Sequence, residues 1–305
     1  MSKGSPEAHV MDYAALDMGV GPDKMSKKTI SLVDLDVHVF GLDEIKGSTL
    51  PIGVVIASHG RCNAAKNMEP FSRGIIAEIG KQAAKGERRK VRDVLVVTMD
   101  HRNHGTRLKH RKTNLAYDKN PHHFVDMAAT VYGGAQDHEM IVAFLAAYLF
   151  PNGERVIEEF FATGISLGGN TVWRLLRTNP DFRICVPIIG LPFDAFGAYL
   201  GARAEQMGIP FAPPTYPPSL VNYISSPTPP EAYAGKKILS IHGELDELVP
   251  YRFGREVIAG MATRAPGMDG KVEAWVQPDR GHVCTPEMVV KAADWFWYWG
   301  LSADK

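Results

Sequence analysis

Apolar residues recur along this chain at two spacings, and the alternation between them sets out its elements. From Lys28 to Phe40 the stretch KTISLVDLDVHVF places Ile30, Leu32, Val33, Leu35, Val37 and Val39 mostly two apart. That period predicts a half-buried strand, or two in a hairpin, ending at Gly41. Pro51–Ala57, PIGVVIA, is a continuous apolar run too short for a helix, and Val91–Met99, VRDVLVVTM, is a second buried strand. Such runs fit strands covered on both faces. Between them Glu69–Lys85 is helix-like, and from Gly134 to Leu149 the residues Met140, Ile141, Phe144, Leu145 and Tyr148 share one broad helical face.

The alternation continues to the C-terminus. A strand ends at Phe160–Thr163, a helix covers Leu167–Arg177, and strands follow at Arg183–Ile189, Lys237–Ile241 and Val272–Gln277. Helices are expected near Tyr251–Met261 and over Pro286–Trp299. Strands alternating with helices predict an α/β fold with a mostly parallel central sheet and helices on both faces. Residues 1–26 show no steady period and are expected to form an N-terminal arm, leaving 27–305 as one domain. The proline-rich insert at about 191–235 breaks the rhythm, and a loop of that length inside a domain is a lid or binding loop. Its first half, FDAFGAYLGARAEQMG, is compatible with a short helix, so the insert reads as a small cap.

Composition narrows the partners. Lys plus Arg and Asp plus Glu are each 34, so the formal charge is zero and nothing points to nucleic acid. The longest apolar runs fall short of the ~20 residues of a membrane helix. The cysteines, Cys62, Cys185 and Cys284, lack metal spacing and suit a reducing compartment, so a cytoplasmic protein is expected.

The chemistry centres on Ser166. It stands between a buried strand and a helix in the sequence GISLG, with Gly164 and Gly168 two residues to either side. A strand that turns straight into a helix presses backbone on backbone, which glycine tolerates. The same turn puts Ser166 at a helix N-terminus, where free N–H groups and the helix dipole stabilise negative charge. In an open parallel sheet, ligands bind beyond the carboxyl ends of the strands. The residues that follow successive strands here are His59-Gly60, Ser166, Asp246 and His282. A serine hydroxyl needs a base to take its proton, and the base needs a carboxylate to fix its tautomer. Ser166, Asp246 and His282 supply one of each.

The segments ASHGR (57–61), MDHRNHG (99–105), GISLGG (164–169), IHGELDELVP (241–250) and DRGHV (279–283) occur in an order that resembles the α/β-hydrolase superfamily, and within it the esterase and prolyl-oligopeptidase-like branches. The resemblance covers about Lys28 to Leu301. It implies Ser166 as nucleophile, Asp246 as acid and His282 as general base. It also implies an oxyanion hole made by the backbone N–H groups of Arg61 and Leu167, with Cys62 as the alternative first donor.

The expected reaction is hydrolysis of a small-molecule carboxylic ester through an acyl-enzyme, without cofactor or metal. The alternatives are a serine peptidase or amidase of the prolyl-oligopeptidase-like type, and a ligand receptor that keeps the fold without turnover. Around the site, His59 is expected to be structural and the Arg61 side chain to point to water. The basic stretch Arg102, Arg107, Lys109, His110, Arg111 and Lys112 reads as a solvated face. His101, His104, His122 and His123 lack zinc spacing, and Cys62 and Cys284 read as packing residues. The aromatic tail DWFWYW, Asp294–Trp299, is expected to pack in the core, with a homodimer contact as its alternative.

Overall fold

The structure is a computed structural model, and it describes residues 16–224, 228–261 and 269–305. Its centre is an eight-stranded sheet. The strands are β1 (Lys27–Leu32), β2 (Leu35–Phe40), β3 (Ile52–Ser58), β4 (Asp93–Met99), β5 (Ile157–Ile165), β6 (Ile184–Ile188), β7 (Lys237–Gly243) and β8 (Lys271–Gln277). In space they run β1-β2-β4-β3-β5-β6-β7-β8. β2 is antiparallel to both its neighbours, and every pairing from β4 to β8 is parallel.

The hairpin expected from the alternating stretch is present. β1 and β2 close through Leu32↔Leu35, and Val33 at the turn has φ +59° and an exposed side chain. A β-branched residue rarely adopts that conformation, so the turn is strained.

Among the described residues seven α-helices accompany the sheet: α1 (Glu69–Lys85), α2 (His123–Leu149), α3 (Leu167–Thr178), α4 (Phe193–Gln206), α5 (Pro218–Ile224), α6 (Arg255–Ala259) and α7 (Pro286–Phe296). Their ends carry the expected punctuation. Pro70 sits in the first turn of α1, and Gly86 follows its last residue with φ +67°. Thr285 caps α7 by accepting the Met288 N–H at 3.3 Å.

Because side chains alternate across a strand, β3 feeds two cores at once. Val55 and Ala57 pack with Phe71 and Ile75 of α1 and Met288 of α7. Ile52, Val54 and Ile56 face the other way, among the residues of α2 and α3 that include Ile141, Leu145 and Trp173. The tail aromatics join the first core: Trp295 and Trp297 are buried in it, whereas Tyr298 is half exposed.

Two features depart from the simple pattern. α2 begins at His123, eleven residues before the start expected at Gly134. Gly133 and Gly134 lie inside this helix because side chains crowd it there. A Cβ at Gly133 would stand 2.6 Å from Cδ of Arg102, and one at Gly134 would stand 2.8 Å from Nδ1 of His101. At the N-terminus, Leu16 is buried against the first core, and the Val20 carbonyl accepts from Nε of Arg73 at 3.1 Å.

The insert places α4 and α5 over the carboxyl edge of the sheet. Phe193, Phe196, Tyr199 and Leu200 of α4 form a third apolar cluster with Phe124 of α2, Leu167 at the start of α3 and Val249. None of the described helices is long and apolar enough to cross a membrane.

Candidate active site

Four loops at the carboxyl ends of β3, β5, β7 and β8 bring the sequence-derived residues together. The turn after β5 is the tightest. Ser166 has φ +58° and ψ −109°, outside the regions that L-residues favour, and its N–H donates to the Ile188 carbonyl of β6 at 2.9 Å. Close backbone approach on both sides demands the glycines. A Cβ at Gly164 would lie 2.5 Å from the carbonyl carbon of Gly168, and one at Gly168 would lie 2.2 Å from the Ser58 oxygen.

The loops after β7 and β8 are stitched to each other. The N–H groups of Glu244 and Leu245 donate to the carbonyls of Gln277 and Arg280, at 3.0 and 2.7 Å. Within this frame Asp246 is buried, and its Oδ1 accepts the N–H groups of Leu248 and Val249 at 2.9 and 2.8 Å. Oδ2 is therefore presented to Nδ1 of His282, 2.8 Å away. The opposite edge of the ring completes the chain, with Nε2 of His282 2.9 Å from Oγ of Ser166.

Burial works against the charge on Asp246. The hydrogen bond and charge of His282 outweigh it, with help from the two backbone donors, and hold the carboxyl below its ordinary range. An ionised Asp246 can only accept, so Nδ1 of His282 carries a proton and Nε2 is left with a lone pair toward the Ser166 hydroxyl. The neighbouring acids are engaged elsewhere, Glu247 with Arg252 and Glu244 with the N–H of Asp279.

The loop after β3 is held by His59, which is fully buried. Its Nδ1 donates to the Gly60 carbonyl at 2.7 Å, and its Nε2 accepts the His101 N–H at 3.0 Å. Burial and the neighbouring His104 push its pKa down to about 4, so the ring is a neutral brace. Asp100 adds a second brace by accepting the N–H groups of Ala65 and Thr106, each at 2.7 Å. The N–H of Leu167 opens α3 and has no acceptor within its helix.

The Arg61 side chain departs from its expected course. It turns inward and donates from Nη1 to the Asn114 carbonyl. Arg102 and Arg107 of the basic stretch pair with Asp137 at 3.1 and 2.6 Å, whereas Lys109, His110, Arg111 and Lys112 are exposed. The buried thiols of Cys185 and Cys284 are pushed up to about 12 by burial, which leaves them protonated and unreactive. No cluster of His, Cys, Asp and Glu suited to a metal ion occurs among the described residues.

The fold has counterparts among solved structures. TT1662 from Thermus thermophilus superposes with a TM-score of 0.62 at 19% identity, covering 90% of this chain and 98% of that one.

The chain has the α/β-hydrolase fold.

Other structures that share this fold include Est1E from Butyrivibrio proteoclasticus with ferulic acid bound, at TM-score 0.55 and 14% identity, covering 89% of this chain and 98% of that one. The acylaminoacyl peptidase of Pyrococcus horikoshii matches at TM-score 0.56 and 14% identity over 90% of this chain, but over 40% of its own length. No family model matches the sequence, and no curated protein sequence matches it.

Four residues around this site escaped the sequence. Asn170 of α3 donates its own N–H to the Ser166 carbonyl at 2.9 Å, and its Nδ2 donates to the Tyr199 hydroxyl at 3.0 Å. Tyr199 belongs to the cap helix α4, so this bond ties the cap to the elbow. Tyr117 and Arg203 lie nearby. The i, i+4 spacing of Tyr199 and Arg203 was readable, but what that helical face covers was not.

Proposed function

We propose that the protein is a serine hydrolase that cleaves a carboxylic ester. The observation that carries this reading is the unbroken chain of contacts from Asp246 Oδ2 through His282 to Ser166 Oγ, at 2.8 and 2.9 Å. Distances in this range are those at which a histidine base takes a serine proton.

In the proposed cycle Ser166 Oγ attacks the carbonyl carbon while its proton passes to Nε2 of His282. The imidazolium that forms is stabilised by Asp246. The N–H groups of Arg61 and Leu167 receive the oxyanion of the tetrahedral intermediate. Collapse of that intermediate breaks the ester C–O bond, and His282 returns the proton to the departing alkoxide. A water molecule then attacks the acyl-enzyme and gives a proton to His282; as the acyl–Oγ bond breaks, His282 returns that proton to Ser166 Oγ and the acid is released.

Structures of similar fold include the esterase Pf2001 of Pyrococcus furiosus as well as the acylaminoacyl peptidase, and ester and peptide cleavage can both use this cycle. Labelling by a fluorophosphonate tests the reading. One phosphonyl group is expected on Ser166, and none after Ser166→Ala. An unlabelled native chain would refute it.

A further inference from the structure

Two arginines converge next to the elbow. Arg61 follows Gly60 in the loop after β3, and its partly buried guanidinium has turned inward to the Asn114 carbonyl. Arg203 lies one helical turn after Tyr199 on α4, so both point from the same face of the helix. Tyr199 is anchored through Asn170 to Ser166, which places that face over the nucleophile. Among the described residues Arg203 makes no hydrogen bond or salt bridge. Its pKa is lowered by burial and then by the charge of Arg61, as expected for two cations sharing a poorly hydrated space.

The carboxylate felt by Arg203 is Asp246, which already accepts from His282, Leu248 and Val249. Arg61 also feels the charge of Asp118. A neutral polar group beside them is unpartnered: Tyr117 is 3% exposed and its hydroxyl has no hydrogen-bond partner. His123, fully buried, packs its ring against Tyr117 at 4.7 Å. His123 is held neutral chiefly by burial and then by the charges of Arg61 and Arg203. Like charges brought together at a partly buried site repel each other, and an anion between them relieves that repulsion.

We propose that the space between α4 and the loop after β3 is an anion subsite, where Arg61 and Arg203, with the Tyr117 hydroxyl, receive an ionised carboxylate on the acyl half of the substrate. The assignment to the acyl half follows from Arg61 itself. Its backbone N–H is assigned to the oxyanion, so its side chain departs from the acyl carbonyl. Guanidinium is suited to this task because its planar fork matches a carboxylate and stays charged when desolvated. The substrate class is thus a monoester of a dicarboxylic acid. This deepens the esterase reading and rests on it.

Kinetics on two esters of equal length, methyl pentanoate and monomethyl glutarate, followed by methanol release, test the assignment. The native enzyme is expected to favour the glutarate by about tenfold or more in kcat/KM. Arg203→Gln is expected to abolish that preference through KM, and Arg203→Lys to retain part of it. Free glutarate is expected to slow fluorophosphonate labelling of Ser166 in the native enzyme but not in Arg203→Gln. A native enzyme that is labelled and turns over pentanoate as well as glutarate overturns the anion subsite alone. A native enzyme that neither labels nor turns over either ester overturns the esterase reading, and the subsite with it.

Discussion

The Cα of Gly168 lies so close to Ser58 that an added methyl group would stand 2.2 Å from the Ser58 carbonyl oxygen. Both partners are backbone at the ends of packed elements, so neither can swing aside. Gly168→Ala is expected to push α3 away from β3, with a cost at or above the ~1–3 kcal/mol typical of overpacking. Activity should fall further than stability, because the displaced turn carries Ser166. Thermal melts and ester turnover, measured on the same preparation, check both effects. A variant with native melting temperature and native turnover would show that the elbow is looser than this contact requires.

Asp246 and His282 give a second expectation. Asp246→Asn keeps the size of the side chain, but its amide can present an N–H to Nδ1 and so favour the wrong imidazole tautomer. Turnover should drop by about 10⁴-fold, as when the acid of a serine protease triad is amidated, with little change in KM. Pre-steady-state acylation rates check this, since the loss should appear in the acylation step.

Acid should weaken the fold through buried histidines. An ordinary histidine titrates near 6.5, but burial, together with the neighbouring His104 in the case of His59, lowers His59 and His138 to about 4 in the folded chain. Between these values the unfolded chain binds more protons than the folded one. Stability from this source is therefore complete above pH 6.5 and is lost as the pH falls toward 4. At pH 5 each ring withdraws about 2 kcal/mol. The melting temperature is expected to fall steeply from pH 7 to pH 5, before most carboxylates begin to protonate. An unchanged melting temperature over that interval would contradict the neutral state of these rings.

Much of the architecture was legible because local rules and tertiary packing agree. β3 and β4 are covered on both faces, and their unbroken apolar runs announce it. The hairpin of β1 and β2 has one exposed parity, and its sequence alternates accordingly. α2 starts before its legible apolar face, which begins only after Gly133 and Gly134, and these glycines admit Arg102 and His101 from the loop after β4. That need arises between elements far apart in sequence, and no local pattern records it.

The positions of Ser166, Asp246 and His282 were readable for a different reason. Each follows a strand, and the strands set them at one edge. The inward course of Arg61 was not readable, because it depends on the Asn114 carbonyl about fifty residues away and on a cap helix whose docking is set by packing at Phe124 and Tyr199. Arg203 carried no signal of its own, since a single arginine on an amphipathic helix is ordinary.

The central claim is that the hydroxyl of Ser166 is made reactive by His282 within a preformed frame. It is tested most directly by the turnover of a chromogenic ester by the native chain and by Ser166→Ala, each shown by circular dichroism to be folded. A fall on the order of 10⁶-fold is expected. Equal rates for the two would contradict the claim.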